Sequence, residues 1–304
     1  MEYLISRRKI SGTPPRPTGV IAKQTNFLKI QPAGQKIATC NVIAAKKWVA
    51  EVAQTAKDNS VLIVVHGFNV LQHSFTHEVA SVRSRLTAKG FKGAIVGFDW
   101  PADGGILKYW SDWSDAGDIA KFLIADGIGT ILRHRPNSRF HLLCHSMGSY
   151  VVSAALRDAW NDPQTRPLTR KIDEVVMTAP DIDLEWTKAG GWVRQMPTRS
   201  CSRMTYYCSD RDQVLQFSEN NAHPGTKRLG RHVQSASVDK DFVAIDCIPY
   251  YTNHVSRWPR LRKSHNWYYR NADFYADALD TLRGRSQTLQ RAKIANGHYR
   301  FRRP

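Results

Sequence analysis

Apolar and polar positions along this chain follow two periods, one typical of buried strands and one typical of amphipathic helices. Short, continuous apolar runs predict strands buried on both faces of a parallel sheet at 61–67 and 93–101. Further strands are predicted at 172–183, 203–215 and 241–248. Apolar residues at helical spacing predict helices at 43–57, 71–88, 113–134 and 273–284, and residues 139–156 predict a strand, a tight turn and a helix without a break. Because strands that alternate with helices require right-handed crossovers, we predict an α/β fold with a mostly parallel, doubly wound sheet flanked by helices.

One α/β domain is predicted over residues 27–286, with a basic extension at each end. Residues 1–26 contain three prolines and several cations, which indicates an extended arm without a core of its own. Residues 287–304 indicate a solvated basic tail, and residues 184–200 or 218–240 could supply a small lid. The chain has no apolar run of about 18 residues and no apolar core in its N-terminal segment, so we expect a cytoplasmic location.

The excess of basic over acidic residues indicates which partners the protein can attract. The 304 residues include 44 Lys+Arg and 26 Asp+Glu, a formal net charge of +18, which favours anionic partners. No zinc-finger, helix-turn-helix or RNA-recognition signature accompanies it, so we expect no specific nucleic acid. We expect weak contact with polyanions or an anionic membrane surface through the basic tail. Five cysteines without CxxC spacing indicate reduced thiols, and we expect no metal and no cofactor.

The strongest chemical signal is the sequence Cys144-His145-Ser146-Met147-Gly148, between a predicted buried strand and a predicted helix. A serine on a sharp strand-to-helix turn is exposed at the carboxyl end of the sheet, and this position predicts that Ser146 is a nucleophile. The alternative is that Ser146 only caps the helix. The usual pattern is G-x-S-x-G, and here Cys144 takes the place of the first glycine. The backbone N–H of Met147 would face the oxygen that becomes negative.

A second loop and a histidine complete the predicted machinery. His66-Gly67-Phe68 follows the first buried strand, where the Phe68 N–H can serve as the second oxyanion donor. A serine nucleophile needs a base, and in this architecture the histidine follows the last strand and precedes a closing helix. His265 has that position, and His254 is the alternative.

The acid is predicted from the same chain order. Asp212 follows a predicted strand after a short polar turn and precedes an apolar helix start, so it is the first choice. Its neighbour Asp210 is an alternative and fits a turn residue. Asp181 and Asp183, which follow the preceding strand, are the main rivals. Their second interpretation is a loop that lines the pocket without contacting the histidine.

These motifs, in this order, resemble a known family. HGFN, FDWP, CHSMGSYV, APDID, the Y-x-S-x-x-D-x-x-L of 207–215 and the final SH-x-WYY are similar to the bacterial α/β-hydrolase family DUF900, a domain of unknown function, over about residues 25–285. The resemblance implies an α/β-hydrolase fold and a Ser-His-Asp triad at the matching positions Ser146, Asp212 and His265. It implies no particular substrate.

Two functions from different classes follow as hypotheses. The first is a carboxylesterase that cleaves short- to medium-chain acyl esters through an acyl-enzyme intermediate on Ser146, acting on a small-molecule ester. The same site could serve a thioester or an amide. The second is a hydrolase-like module without catalysis, which binds anionic polymers or membrane surfaces through its basic face. A complete triad discriminates between them, since a binding module does not require all three roles.

Overall fold

The computed structural model describes residues 1–31, 40–102, 109–234, 240–258 and 260–304. Within these ranges, eleven strands form one sheet with the order β10-β11-β9-β8-β7-β6-β4-β5-β1-β2-β3. The strands are β1 (Glu2–Ser11), β2 (Arg16–Ile30), β3 (Cys40–Val42), β4 (Ser60–Val65), β5 (Ala94–Asp99), β6 (Arg139–His145), β7 (Ile172–Thr178), β8 (Arg203–Cys208), β9 (Phe242–Asp246), β10 (Arg291–Ala295) and β11 (His298–Phe301).

Helices connect the strands. They are α1 (Ala45–Gln54), α2 (Gln72–Ala88), α3 (Tyr109–Phe122), α4 (Gly129–His134), α5 (Met147–Asn161), α6 (Arg166–Thr169), α7 (Met196–Arg199), α8 (Gln213–Phe217), α9 (Ile248–Tyr250), α10 (Leu261–Asn266) and α11 (Ala272–Leu282). A π-helical segment, Leu123–Ile128, joins α3 to α4. Among the described residues, no helix is both long enough and apolar enough to cross a membrane.

The sheet is parallel from β11 through β9, β8, β7, β6, β4 and β5 to β1. The chain leaves β4 on one side to form β5 and returns on the other side to form β6, so the strand order reverses at β4. In such sheets, ligands bind at the carboxyl ends of the strands beside this reversal. The predicted mostly parallel, doubly wound sheet is confirmed, and its reversal point lies where β4 and β6 end.

The core lies on both faces of the sheet, as the continuous apolar runs predict. Along β6, Phe140 and Leu142 pack into the cluster on one face, and Leu143 packs into the cluster on the other. Burial on both faces holds the carboxyl ends of the central strands rigidly, which is what a precise site requires.

The expected extended arm over residues 1–26 is wrong: these residues form β1 and most of β2, inside the sheet. β1 pairs in parallel with β5 and antiparallel with β2, and the prolines fall in or beside the turn between β1 and β2. Leu4 and Ile5 are fully buried. The Arg8 Nε donates to the buried Asp99 carboxylate at 2.8 Å, so the cation that suggested a solvated arm is neutralised inside the fold.

The expected solvated tail over residues 287–304 is also wrong. β10 and β11 form a hairpin, and β11 adds in parallel to the edge of the sheet beside β9. Tyr299 and Phe301 are buried, and Arg291 is buried against the Asp277 carboxylate at 2.8 Å. The segment is therefore a packed sheet edge, with Arg291 buried and its other cations on the surface.

The segments expected to supply a lid lie at the carboxyl ends of β7 and β8. Leu184 donates its N–H to the carbonyl of Lys227, and Leu229 donates to Ile182, so the two segments run side by side. Residues 235–239, part of the second segment, lie outside the described residues. The lid stays a prediction.

Candidate active site

Ser146 occupies the turn between β6 and α5 with φ 53° and ψ −127°, a backbone conformation that L-residues rarely adopt. Its N–H donates to the carbonyl of Thr178, and its own carbonyl accepts from the N–H of Ser149 and of Asp181. Such strain costs on the order of 1–3 kcal/mol and persists only where the surroundings impose it. The turn presents the Ser146 side chain at the carboxyl end of the sheet, as the strand, turn and helix pattern predicts.

Two glycines allow this turn to pack closely against the end of β4. A Cβ on Gly148 would lie 2.4 Å from the carbonyl oxygen of His66 and 2.6 Å from that of Val65. A Cβ on Gly67 would lie 2.8 Å from the Cβ of Ser146. Since real Cβ atoms do not approach so closely, both positions require glycine. The loop that follows β4 therefore lies directly against the serine.

Cys144 takes the place of the first glycine of the usual pattern without disturbing the turn. It is fully buried, and its thiol points to the carbonyl of Val176 at 3.6 Å. Burial raises the pKa of this thiol to about 12, so it stays neutral and packs as a small apolar group.

Asp212 and His265 meet at the same edge. The Nδ1 of His265 lies 2.7 Å from the Oδ2 of Asp212, and both side chains are buried. The other carboxylate oxygen of Asp212 accepts the N–H groups of Val214 and Leu215, each at 3.0 Å, as the N-cap of α8. The cap fixes the carboxylate, and the carboxylate fixes the imidazole with its Nδ1–H toward Asp212 and its Nε2 away from it.

His145 connects the histidine to the serine turn. Its ring lies 4.4 Å from the ring of His265, and its Nε2–H donates to the His265 carbonyl at 3.2 Å. Burial lowers the pKa of His145 well below its ordinary value, and the nearby His265 adds to the effect, so His145 stays neutral. Since His145 precedes Ser146, this contact brings the predicted base to the predicted nucleophile.

The hydroxyl of Ser146 forms no hydrogen bond with His265 or with any other residue that the structure describes. In sites without substrate this bond is often long and tightens only in the complex.

The two predicted oxyanion donors lie on either side of the turn. Met147 is the first residue of α5, and Phe68 follows Gly67 in the loop against Ser146. Neither N–H donates to another group within the described parts of the chain. The loop itself is held by His66, whose Nδ1–H donates to the Gly67 carbonyl at 2.9 Å and whose Nε2 accepts from Trp100 N–H at 3.2 Å.

Asp181 lies elsewhere in the site and does not contact His265. Its Oδ1 accepts from Arg228 Nε at 2.6 Å and from the Ser218 hydroxyl at 3.1 Å, and its Oδ2 accepts from the Tyr109 hydroxyl at 2.6 Å. Burial opposes ionisation of this carboxyl, but the Arg228 guanidinium and the Tyr109 hydroxyl outweigh it and lower the pKa of Asp181. Asp181 is therefore the ionised partner of a buried arginine.

His254, Asp210 and Asp183 also lie apart from the serine turn. His254 is exposed, and the centroid of its ring lies 4.9 Å from that of the Tyr250 ring. Asp210 is a half-exposed turn residue beside Arg211, and Asp183 caps the 3-10 helix that follows it by accepting the N–H of the second residue along. Within the described residues, no three His, Cys, Asp or Glu side chains are grouped so as to hold a metal ion.

Sequence reasoning missed three side chains near the site. His145 was part of the nucleophile motif, but no local signal indicated its contact with His265. Tyr109 and His223 surround Asp181, and the Tyr109 hydroxyl lies 3.0 Å from the Nε2 of His223. Burial lowers the pKa of His223 to about 4, and Arg228 adds to the effect, so this imidazole is neutral.

The reversal of the sheet at β4, the strained serine after β6 and the aspartate-histidine pair at the same edge define an α/β hydrolase. The chain belongs to the family described as "Alpha/beta hydrolase of unknown function (DUF900)", whose model matches residues 41–253, more than half of the chain. The resemblance of the sequence motifs to this family is thereby confirmed.

Relatives and solved structures add little beyond the fold. An uncharacterized protein of Nostoc sp. (strain PCC 7120) is 32% identical over 108 residues, which are 30% of this chain and only 28% of that protein. A cutinase-like protein from Cryptococcus sp. is 15% identical, with 76% of this chain and 97% of that chain covered at a TM-score of 0.36. A predicted CIB-like hydrolase from Thermoplasma acidophilum is 10% identical, with 85% and 99% covered at a TM-score of 0.37. At such scores, neither structure bears on the substrate.

Proposed function

We propose that this protein is a serine hydrolase, a carboxylesterase that cleaves short- to medium-chain acyl esters through an acyl-enzyme on Ser146. The observation that carries the proposal is the 2.7 Å contact between His265 Nδ1 and Asp212, beside a serine held on a strained strand-to-helix turn. A module that only binds a ligand gains nothing from an imidazole oriented in this way.

In the first half of the reaction, the Oγ of Ser146 attacks the ester carbonyl while the Nε2 of His265 takes the hydroxyl proton. The carbonyl oxygen becomes negative and accepts hydrogen bonds from the N–H groups of Phe68 and Met147. The carbon–oxygen bond to the alcohol then breaks, and His265 gives its proton to the leaving oxygen. Asp212 remains ionised throughout; it holds the tautomer and stabilises the imidazolium.

In the second half, water attacks the acyl-enzyme and His265 takes a proton from it. The tetrahedral intermediate again places its negative oxygen at the two N–H groups. Its collapse breaks the bond to Ser146, whose Oγ receives the proton from His265, and the carboxylic acid leaves. Protons and electron pairs balance over the cycle, and the net reaction consumes one water.

The proposed acyl preference is based on the aromatic side chains at and beside Phe68. The ring of Phe68 lies 5.2 Å from that of Tyr109, which lies 6.1 Å from that of Trp113. These partly buried rings offer an apolar wall next to the reacting carbonyl. We expect p-nitrophenyl acetate, butyrate and octanoate to be cleaved faster than the palmitate.

The test is a fluorophosphonate probe together with ester turnover. Ser146→Ala should abolish labelling and lower kcat on the order of 10⁶-fold. Ser149→Ala, a buried serine on the first turn of α5, is the matched control and should keep both. A covalent adduct on another serine contradicts the assignment. A folded wild-type protein that neither reacts with the probe nor turns over esters favours the binding-module hypothesis.

A further inference from the structure

A short segment that precedes the proposed base carries exposed basic and apolar side chains in alternation. We define the docking segment as the described residues 257, 258 and 260–263; residue 259 lies outside the described residues. Its described residues are all exposed: Arg257, Trp258, Arg260, Leu261, Arg262 and Lys263. Trp258 is 74% exposed and Leu261 56%. Within the described chain, none of the four cations has an ion-pair partner.

Single exposed apolar residues are common on proteins and indicate no function by themselves. The docking segment differs because of its position beside the active site. Leu261 is the first residue of α10, and His265 lies one helical turn further on. Ser264, between them, accepts the N–H of Gln213 next to the triad aspartate, so α10 is tied to the site. The docking segment therefore lies at the rim of the active site.

Further exposed apolar side chains occur at the same edge of the sheet. Leu71 precedes α2, Trp110 lies in the first turn of α3, and Phe217 ends α8. Each is about half exposed, and each follows the carboxyl end of a parallel strand, as the docking segment follows β9. The carboxyl edge of the sheet, where Ser146 also lies, thus combines exposed apolar side chains with the unpaired cations of the docking segment.

This combination fits a lipid surface better than a nucleic acid. Trp and Leu enter the boundary between headgroups and acyl chains, while Arg and Lys reach anionic headgroups. A single-strand binding surface instead stacks successive bases on neighbouring aromatic rings. Within the docking segment Trp258 is followed by the aliphatic Leu261, which offers no such platform. The net charge of +18 adds long-range attraction to a negative surface.

We propose that the docking segment binds the surface of an anionic phospholipid bilayer and brings the active site to ester groups held there. The second half of this statement rests on the proposed function, but the binding itself does not. This location differs from the basic tail expected from the sequence, whose aromatic residues Tyr299 and Phe301 are buried in the sheet edge. The control variants test the tail alongside the docking segment.

The experiment measures cosedimentation of the full chain, carrying Ser146→Ala to prevent hydrolysis, with vesicles. The vesicles are phosphatidylcholine alone or phosphatidylcholine with phosphatidylglycerol. One variant replaces the four cations of the docking segment by Ser, and another carries Trp258→Ala and Leu261→Ala. The charge-matched control replaces four exposed cations at the two far sheet edges by Ser: Arg16, Lys23, Lys293 and Arg303. The apolar control carries Val20→Ala and Leu289→Ala.

We expect binding only to the vesicles with phosphatidylglycerol. Loss of the four docking cations should weaken it ~100-fold or more, and loss of Trp258 and Leu261 about 10-fold or more. The charge control should weaken it far less, and the apolar control should leave it unchanged. Melting temperatures equal to that of the Ser146→Ala protein are expected throughout, because every further side chain altered is exposed.

Three results would overturn the proposal. Equal losses from the docking and control quartets would show that net charge alone is responsible. Equal binding to both kinds of vesicle, or none to either, would exclude an anionic lipid surface as the partner. Tighter binding to a single-stranded oligonucleotide than to the vesicles, weakened by the docking variants, would assign the segment to nucleic acid. Each of these outcomes leaves the esterase proposal standing, since that is tested by labelling of Ser146.

Discussion

Two buried aspartates follow neighbouring strands of the sheet, Asp181 after β7 and Asp212 after β8, and each contacts a basic side chain. Asp181 accepts from the Arg228 guanidinium at 2.6 Å, whereas Asp212 lies 2.7 Å from the imidazole of His265. Both carboxylates are almost fully buried. The second oxygen of each also accepts a hydrogen bond, from the Tyr109 hydroxyl in Asp181 and from the Val214 N–H in Asp212. They differ in the kind of partner.

The partner determines what each carboxylate can do. A guanidinium keeps its proton at every pH that a protein survives, whereas an imidazole gains and loses one near neutral pH. A carboxylate beside an arginine therefore stabilises a permanent charge and contributes to the fold. A carboxylate beside a histidine can stabilise a charge that exists only during part of a reaction, which is the role proposed for Asp212.

Asp181 still influences the serine turn, but through the backbone. Its N–H donates to the Ser146 carbonyl at 3.1 Å, next to the strained φ of that residue. The Asp181 side chain anchors this N–H by its contacts with Arg228 and Tyr109. The region around Asp181 holds the backbone of the turn, and the region around Asp212 orients the imidazole of the proposed base.

The largest effect expected from this comparison is on turnover. Asp212→Asn removes the charge that stabilises the imidazolium and the group that fixes its tautomer, so kcat should fall on the order of 10⁴-fold. Asp181→Asn should lower kcat far less. Steady-state kinetics on p-nitrophenyl butyrate measures both, with melting temperatures to verify folding. A deeper loss of kcat in a folded Asp181→Asn variant would reverse the two roles.

Stability should show the opposite ranking. Asp181→Asn leaves the buried Arg228 without a counter-charge, so the free energy of unfolding should fall by about 3–5 kcal/mol. Urea denaturation at neutral pH measures this loss. The double variant Asp181→Asn, Arg228→Met removes both charges and should recover part of it. A single variant as stable as the wild type would show that Arg228 does not depend on Asp181.

The sequence predicted the parts of the fold that have local signals and missed a strand that depends on a buried ion pair. β4 and α2 lie within about two residues of their predicted ranges, because apolar runs and helical spacing are local signals. β1 was mistaken for an arm because Arg7 and Arg8 follow its apolar residues. Arg8 is buried only because Asp99, far along the chain, neutralises it, and no local pattern contains that fact.

The site divides in the same way. Ser146, Asp212 and His265 follow from chain order, because parallel strands bring their carboxyl ends to one edge. The contacts of Asp181 with Arg228 and Tyr109 join three separate segments, and only the folded chain shows them. Sequence therefore ranked Asp212 above Asp181 but could not say what Asp181 does instead.

A smaller effect is expected from Tyr109→Phe, which removes one donor and keeps the ring. Asp181 Oδ2 then loses its 2.6 Å hydrogen bond, while Arg228 and Ser218 still hold Oδ1. The free energy of unfolding should fall by about 1.5–3 kcal/mol, the range for a hydrogen bond to a charged group. Urea denaturation measures it, with the exposed Trp110→Phe as control. A loss as large as that of Asp181→Asn would contradict the primary role of Arg228.

The smallest expected effect is on how the free energy of unfolding falls with pH below neutrality. Burial alone would raise the pKa of Asp181, but the Arg228 guanidinium outweighs it and the pKa is lowered in the folded state. A carboxyl with a lowered folded pKa binds its proton more readily in the unfolded chain, where the pKa is about 3.9. Its contribution to stability is therefore complete above that value, and is lost as the pH falls through the lower folded pKa.

The double variant Asp181→Asn, Arg228→Met lacks this contribution, so acid should destabilise it less than the wild type. Between pH 6 and pH 3 only the unfolded chain takes up this proton, so the difference should be about 1 kcal/mol. Urea denaturation at both pH values measures it in each protein. Asp99 also has a lowered pKa, opposed by its burial and caused by Arg8 and His66, and it contributes equally to both proteins. Asp99 cancels in the comparison. Loss of Arg228 brings the lowered pKa of His223 nearer its ordinary value, which also makes acid less destabilising to the double variant. Parallel acid profiles would therefore mean that the charge of Asp181 does not stabilise the fold.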